Sequence, residues 1–372
     1  MARMISQRLS AIVVGALCAS ALAGAGQDLP AKINNLGINK LAFEVPNRIR
    51  VGGTFIHTVE PNGTYMSDVY RNEPGRVQTI GGDIFVMDGR DAKPRKLVDG
   101  GSYPAWSPDG SELAYCTWNG LLFGQVEVVK ADGTGRRQLT NMRGGACFFN
   151  WSPDGTKIAF TALAPGDSEK NLMTNFNMIA KNTEVFVMDK DGGDPVPVTA
   201  GYGARWSPGG TLMILLRQPE KKGTEDSVWL ATLDGKQTKM VGVSDRMIGG
   251  AEWLPGGRGI VASYMQNGTY SVFRSYLDGS QPQGSPPQKL RGDTQTSWSE
   301  PAVSPDGKHL MAVVIGCRAD KRGKPPSQAS CFSERIVVLN LDTNEEVTLA
   351  GGVNYSVVWD KSSLLSNSQD RR

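Results

Sequence analysis

One pattern of apolar and polar positions recurs six times along the chain. In each copy an apolar run, usually containing Trp, leads into a tetrapeptide similar to Ser-Pro-Asp-Gly, and a second apolar run follows. Pro sets φ at the first corner of the turn and Asp-Gly tolerates the positive φ of a tight hairpin, so each copy predicts a β-hairpin. The copies occupy residues 103–115, 149–160, 204–215, 251–262, 301–312 and 357–365, of which the last is degenerate.

A second strand pair accompanies each copy, so that every repeat is predicted to form four antiparallel strands. These pairs lie around residues 84–88, 126–133, 184–192, 228–235, 270–279 and 335–342, and a short outer run follows each turn. The repeats are 45 to 56 residues apart, measured between Trp106, Trp151, Trp206, Trp253, Val303 and Trp359. This period is typical of the four-stranded blades of a β-propeller. A tryptophan at one strand position in successive repeats indicates core packing between blades rather than a ligand box.

The Trp-Ser-Pro-Asp-Gly hairpin followed by a strand that ends in Met-Asp resembles the repeat of TolB-type propellers, over residues 83–365. The resemblance implies an all-β, six-bladed β-propeller whose last blade is closed by N- and C-terminal strands. We predict that residues 354–365 supply two inner strands of that blade and residues 83–98 supply two outer ones. Closure removes the exposed edges of an open sheet. Strand-like runs at 40–45 and 53–59 leave extra edge strands or a seventh blade as the alternative.

The N-terminus has the pattern of a secretory signal peptide. Arg3 and Arg8 precede an apolar run, and small residues then allow cleavage after Ala23 or Ala25. Cys18 raises lipidation as a lesser alternative, because the Leu before it is unusual at a lipidation site. We predict four segments: a signal peptide at 1–25, an N-terminal extension at 26–82, the propeller at 83–365 and a tail at 366–372.

The predicted compartment is the periplasm or the exterior of the cell. No other segment is long and apolar enough to span a membrane, so we expect no membrane span. We also expect the protein to be a monomer. Hydrophobic residues make up 39% and charged residues 21%, with a formal net charge of +3 and no Lys/Arg block. This spread of charge does not favour nucleic acid as a partner.

Four cysteines follow the predicted signal peptide, and an even number in an oxidising compartment favours two disulfides. Cys116 ends the second strand of one repeat and Cys147 opens the first strand of the next, so a bridge between them would join neighbouring blades. Cys317 and Cys331 flank a single loop. We therefore predict the pairs Cys116–Cys147 and Cys317–Cys331.

Long loops are predicted on one face of the propeller, at residues 161–183, 217–226, 263–269 and 315–334, whereas the turns of the other face are short. Binding residues concentrate on long loops held by a rigid scaffold, so the long-loop face is the candidate binding surface. Asn150, Arg205 and Glu252 lie beside the inner-strand Trp, and Glu300 lies a little before its equivalent. We predict that these four residues bind a ligand at the channel mouth. Solvated channel residues without a ligand are the alternative.

Catalytic motifs are absent from the sequence, and we assign no catalytic residue, metal or cofactor. The histidines are His57 and His309, and neither lies in a recognisable motif. Residues 189–194 resemble half of a calcium loop, but they stand where every repeat has a hairpin turn, so a turn is predicted.

The resemblance implies a protein- or peptide-binding scaffold of the periplasm or cell envelope, since TolB's propeller docks the peptidoglycan-associated lipoprotein. TolB has a sizeable α/β domain before its propeller, for which residues 26–82 are too short. The alternative function is a carbohydrate-binding or carbohydrate-active propeller, a lyase or hydrolase acting on a glycan. Glu252 and Glu300 would then be the carboxylates concerned, although the sequence as a whole favours a protein that is not an enzyme.

Overall fold

The structure is a computed structural model, and it describes residues 36–49, 78–88, 94–117, 124–164, 183–217, 227–239, 248–266, 269–277, 286–293, 295–317, 331–351 and 353–359. These residues form an all-β chain with a single 3-10 turn, Pro255–Gly257. None of the described helical residues forms a helix long and apolar enough to cross a membrane.

Twenty-three strands make up five antiparallel sheets. The strands are β1 (Ile38–Ile49), β2 (Gln78–Asp88), β3 (Arg95–Trp106), β4 (Glu112–Thr117), β5 (Val126–Lys130), β6 (Arg137–Gln138), β7 (Ala146–Trp151), β8 (Lys157–Leu163), β9 (Thr183–Asp189), β10 (Val196–Ala200), β11 (Tyr202–Trp206), β12 (Leu212–Arg217), β13 (Ser227–Thr232), β14 (Gln237–Lys239), β15 (Ile248–Trp253), β16 (Gly259–Gln266), β17 (Thr269–Tyr276), β18 (Gln288–Arg291), β19 (Thr296–Val303), β20 (His309–Cys317), β21 (Cys331–Asn340), β22 (Glu346–Gly351) and β23 (Val353–Trp359).

Four of the sheets have four strands each, in sequence order from β7 to β10, β11 to β14, β15 to β18 and β19 to β22. Each is a meander in which the Trp- or Val-containing strand of the repeat lies first. The strands assigned to the sequence repeats are therefore confirmed for these sheets, and their arrangement is propeller-like.

The fifth sheet has seven strands, in the order β23-β1-β2-β3-β4-β5-β6. Its length arises from β3, which pairs with two partners in succession. Arg95 to Val98 pair with β2, whereas Ser102 to Trp106 pair with β4. Gly101 pairs with both neighbours, so β3 passes from one group of strands to the next at this residue.

The chain ends meet in this sheet, but with a different strand from the one predicted. β23 pairs with β1, and Leu41 lies opposite Val357. The expectation that residues 354–365 supply both inner strands was wrong, because β1 takes the second place, between β23 and β2. β1 carries the fully buried Leu41 and Phe43, which pack with Met311 and Ile336 of the preceding sheet. Residues 53–59 and 360–365 lie outside the described residues.

The Ser-Pro-Asp-Gly turns hold the first and second strands of a sheet together. In the first turn the Ser107 hydroxyl donates to Asp109 at 2.6 Å, and the amide of Gly110 donates to the carbonyl of Ser107 at 2.8 Å. Gly110 has φ of +68°, which glycine adopts without strain. The amide donors and the hydroxyl around Asp109 lower the pKa of its carboxyl to about 2.

Neighbouring sheets meet through buried apolar side chains. One cluster joins Val126 and Val128 of β5 to Phe160 and Phe186 of the next sheet, and the two Phe rings stack 5.6 Å apart. The repeated tryptophans are buried in these contacts, as predicted, with 5 to 6% of their surface exposed for Trp106, Trp151, Trp206 and Trp253.

Three of these tryptophans also form polar links between sheets. Each indole N–H donates to the carbonyl of the residue that precedes the Trp of the preceding sheet. Trp151 donates to Ala105 at 3.1 Å, Trp206 to Asn150 at 3.2 Å and Trp253 to Arg205 at 3.0 Å. The Trp106 indole N–H is buried and has no hydrogen-bond partner among the described residues.

The disulfide Cys116–Cys147 is present, as predicted, with a Cα–Cα distance of 5.6 Å. It connects β4 to β7 and so covalently joins two neighbouring sheets. Cys317 and Cys331 lie opposite each other in the pairing of β20 with β21. Their side chains lie outside the described residues, so the second disulfide stays a prediction.

Replacing Trp206 by Phe tests the indole links. Trp206→Phe keeps most of the buried ring but leaves the Asn150 carbonyl without its donor. We expect the free energy of unfolding, measured by urea denaturation, to fall by about 1–2 kcal/mol. Trp106→Phe is the matched control, since that indole is equally buried and its N–H has no partner among the described residues. Equal losses in the two variants would contradict the role of the hydrogen bond.

Removing the disulfide tests the covalent joint. The Cys116→Ser/Cys147→Ser variant releases a constraint between residues 31 apart, and we expect a loss of about 3–4 kcal/mol in urea denaturation. Non-reducing peptide mapping of the unaltered protein should recover the Cys116–Cys147 pair. Free thiols at both positions would show the link to be absent.

Candidate functional site

A central cavity of about 300 Å³ is the candidate site. The first strand of each sequence repeat lines it, and these strands are β3, β7, β11, β15, β19 and β23. Asn150, Arg205, Glu252 and Glu300 all line this cavity, so the structure brings the four predicted site residues together. Of the long loops predicted to surround its mouth, those at 161–183, 217–226 and 315–334 lie largely outside the described residues. The long loop predicted at 263–269 was wrong, because β16 and β17 extend to Gln266 and Thr269, which pair with each other and leave two residues between the strands.

Asn150 already makes contacts that join two inner strands. Its carboxamide oxygen accepts a hydrogen bond from the backbone amide of Trp206 at 3.3 Å, and its carbonyl accepts the Trp206 indole N–H. Both bonds hold β7 against β11. Asn150 therefore has a structural role, and one end of its side chain is engaged by the protein itself.

Arg205 and Glu252 form an ion pair across β11 and β15. Arg205 Nε lies 3.5 Å from Glu252 Oε2, and each side chain keeps about a third of its surface exposed, 34% and 32%. The other carboxylate oxygen of Glu252 accepts the backbone amide of Trp253 at 2.9 Å. Burial raises the pKa of Glu252, and the Arg205 charge and the Trp253 amide oppose this rise.

The neighbours of Glu300 stabilise its ionised carboxylate less than those of Glu252 do. Burial raises the pKa of its carboxyl to about 7, the Arg205 charge acts in the opposite direction, and the Glu44 carboxylate raises it further. No hydrogen bond to the Glu300 carboxylate occurs within the described residues. This half-buried carboxyl, which has no hydrogen-bond donor among the described residues, is therefore present in both its neutral and its ionised form near neutral pH.

Glu300 also lies at a bulge that recurs in the inner strands. The register of the first two strands shifts around Tyr103, Phe148, Gly203, Gly250 and Glu300, each three residues before Trp or its equivalent. All five have positive φ: 53°, 50°, 63°, 124° and 50°. Glycine adopts this conformation freely, whereas side chains with a Cβ pay about 1–2 kcal/mol for it. Strained residues of this kind cluster at functional sites.

Sequence reasoning missed Tyr103 and Phe148 as site residues. Their rings meet edge to face at 4.9 Å, and both line the cavity. Glycine at the same position in two other copies was the available signal, because a position that alternates between Gly and large side chains indicates positive φ.

Glu44 and Tyr355 were missed as well, because they come from the strands that close the ring. Glu44 is 2% exposed and accepts the Ser102 hydroxyl at 3.0 Å and the Tyr103 amide at 3.4 Å. Tyr355 lines the cavity, and its hydroxyl donates to the Glu300 carbonyl at 2.7 Å and approaches the Met311 carbonyl at 2.9 Å. Burial, and then the carboxylates nearby, raise the pKa of Tyr355 and of Tyr103 well above the usual value.

Of the residues considered for catalysis, Glu252 and Glu300 line this cavity, whereas His309 is not among its lining residues. His309 lies in β20 opposite Asn340, and His57 lies outside the described residues. Residues 189–192 form a turn in which the Gly192 amide donates to the Asp189 carbonyl at 3.0 Å. Across the described ranges, no group of three or more His, Cys, Asp or Glu side chains is placed to hold a metal ion.

Comparison with solved structures identifies the fold as a TolB-like β-propeller. A structure described as TolB from Agrobacterium tumefaciens has 20% identity and a TM-score of 0.51, covering 71% of this chain and 88% of that one. TolB from Acinetobacter baumannii has 16% identity and a TM-score of 0.57, covering 91% and 69%. Hydrazine synthase of Kuenenia stuttgartiensis has 15% identity and a TM-score of 0.56, covering 90% of this chain and 48% of that one.

No family model and no curated protein matches the sequence. At these identities the likeness to solved structures establishes the fold and leaves the function to be argued from the cavity itself.

The Glu300 carboxyl predicts a specific pH dependence of stability. The pKa of the Glu300 carboxyl in the folded protein is about 7, above the usual 4.5. Its contribution to the free energy of unfolding is therefore fully present below pH 4.5 and is lost as the pH rises through 7. We expect the free energy of unfolding of the unaltered protein to fall by about 2 kcal/mol relative to Glu300→Gln between pH 5 and pH 8. Urea denaturation at both pH values measures this difference. Glu345→Gln, at an exposed turn, is the control and should show no such change.

Proposed function

We propose that this chain is an exported, six-bladed propeller that acts as a scaffold and binds a protein or peptide at its central cavity. The observation that carries the proposal is the lining of that cavity. Six inner strands contribute to it, and they place charged, polar and aromatic side chains around about 300 Å³ of space. A concave site with a few convergent polar groups among aromatic ones suits the insertion of a side chain or a chain end.

The proposal of six blades is supported by dividing the seven-stranded sheet at Gly101. The first part of β3 then completes a blade with β23, β1 and β2, while the second part begins a blade with β4, β5 and β6. Together with the four four-stranded sheets this makes six blades of four strands. In this division the propeller runs from Ile38 to Trp359, so part of the predicted N-terminal extension belongs to it.

Export to the periplasm or the cell exterior is supported by the Cys116–Cys147 disulfide, because such bonds persist in oxidising compartments. The predicted signal peptide lies outside the described residues and remains part of the proposal.

Within the cavity we assign ligand contact to Arg205, Glu252 and Glu300, and a mainly structural role to Asn150. The two carboxylates with raised pKa also bear on the alternative function. A carboxyl that titrates near pH 7, as Glu300 does, has the property of a general acid in glycoside cleavage. A glycan ligand is therefore the second candidate, and the experiment below separates the two.

The test presents purified protein to an immobilised random-peptide library and to a glycan array. We expect selective capture of peptides. Gly203→Phe should abolish it, because Gly203 has φ of +63° with open space beside it, and the new ring would enter the cavity as Phe148 does from the neighbouring strand. Its strain should lower the free energy of unfolding by about 1 kcal/mol.

Gly307→Phe is the matched control, since Gly307 has φ of +75°, open space beside it and a place in a turn away from the cavity. It should keep peptide capture at a similar cost in stability. Selective capture of glycans without peptides would replace the proposed function with the carbohydrate alternative. Equal loss of capture in both variants would show that the cavity is not the site.

A further inference from the structure

The cavity lining is asymmetric, and the asymmetry arises at the bulge positions of the inner strands. Tyr103 and Phe148 place two aromatic rings on neighbouring strands. On the next two inner strands, β11 and β15, the bulge position holds Gly203 and Gly250, so no side chain extends into the cavity from that position. Glu300 comes next and supplies a carboxylate. The wall therefore changes from aromatic, through open, to acidic around the ring.

The charges around the cavity are predominantly negative. Glu252 and Glu300 line it, and the buried Glu44 lies close enough to raise the pKa of Glu300. Arg205 is the cation facing these carboxylates among the described residues, and it is paired with Glu252 at 3.5 Å. Within the described residues, Glu300 therefore shares the charge of Arg205 with Glu252 and has no ion-pair partner of its own. An anionic ligand would meet an excess of carboxylates.

Aromatic rings and carboxylates that line the same cavity favour a positively charged organic group. The face of a Tyr or Phe ring attracts a guanidinium or ammonium ion, and a carboxylate supplies the opposite charge. The cavity of about 300 Å³ accommodates one basic side chain.

Backbone strain at Glu300 also supports a binding role. Its backbone is in the left-handed region with φ of +50°, and the Gly250 position packs closely against it, since a Cβ there would lie 3.1 Å from the Glu300 Cα. A glycine at position 300 would relieve the strain, as at two equivalent positions. A carboxylate in such a strained backbone conformation is typical of a functional site.

From these observations we infer that the central cavity binds an organic cation, the guanidinium or ammonium group of a basic peptide side chain, with Glu300 as its counter-ion. This inference rests on the proposed peptide-binding function and names the chemical group that the same cavity takes. Tyr103 and Phe148 supply the aromatic wall, and Glu252 remains paired with Arg205.

Binding of the cation is coupled to release of a proton. With its pKa near 7, Glu300 is partly protonated in the empty cavity at neutral pH. The groups that share the cavity wall with it or act on it are Arg205 from β11, Glu252 from β15, Glu44 from β1, Tyr103 from β3 and Tyr355 from β23. Both tyrosines stay neutral in this range, because their pKa values are raised. A bound cation favours the ionised carboxylate, so the proton leaves to solvent and affinity rises with pH.

The experiment is isothermal titration calorimetry with N-acetyl-arginine methylamide and with its neutral isostere, N-acetyl-citrulline methylamide. We expect at least tenfold tighter binding of the arginine probe. Its affinity should rise several-fold between pH 6 and pH 8, and buffers of different ionisation enthalpy should reveal proton release at pH 6.5. Glu300→Gln should weaken binding about tenfold or more and remove the pH dependence. Glu345→Gln, at an exposed turn, should change neither.

Glu300→Gly guards against a folding defect in the Gln variant. It suits the positive φ, so its melting temperature should be unchanged or higher while the arginine probe no longer binds. Equal affinity for the two probes, or binding that Glu300→Gln leaves unchanged, would overturn the inference. Tighter binding of Ca²⁺ than of the arginine probe at the same cavity would also overturn it. Capture of neutral or acidic peptides without the arginine probe would overturn the inference but not the proposed function. Binding of the probe without capture of any peptide would contradict the proposed function alone.

Discussion

Contact between successive inner strands is the constraint on which the rest of this structure depends. Four of the repeated tryptophans, Trp106, Trp151, Trp206 and Trp253, are buried where neighbouring repeats pack. Three of the indoles donate to a carbonyl in the preceding inner strand. The apolar contact supplies most of the stabilisation, since a large aromatic side chain buries 150–250 Å². The hydrogen bond adds direction, because it fixes the height at which one strand meets the next. Repetition of this contact brings the strands around a shared cavity.

The cavity inherits its chemistry from this geometry. In the five repeats that contain Tyr103, Phe148, Gly203, Gly250 and Glu300, these bulge residues have positive φ and line the cavity. The residue directly before the Trp or Val303 of the same repeat lines the cavity as well. Where the bulge position holds Gly, the cavity gains space; where it holds Tyr, Phe or Glu, the cavity gains an aromatic or acidic wall at the expense of backbone strain. The repeated strands thereby set the fold, whereas the side chains at the bulge positions set which ligand the cavity can bind, as is common in repeat folds.

The repeated hairpins were predictable, because Ser-Pro-Asp-Gly states a turn locally and Trp recurs at a regular period. The Cys116–Cys147 bridge and the grouping of Arg205, Glu252 and Glu300 followed from superimposing the repeats. The place of β1 was not predictable, because it pairs with a strand more than 300 residues away and has no turn motif beside it. Glu44 and Tyr355 were missed for the same reason. The bulge conformation of Tyr103 and Phe148 depends on the partner strand, so one repeat alone does not encode it, and only the comparison with the copies that carry Gly203 and Gly250 indicates it.

Hydrogen exchange of the indole N–H groups, followed by NMR, tests most directly whether the inner strands form one cooperative ring. The account predicts that Trp151, Trp206 and Trp253 exchange together, as slowly as the most protected backbone amides, because each N–H is released only when neighbouring blades separate. Exchange of the three indoles at different and faster rates, through independent local openings, would contradict a ring held by its inner-strand contacts.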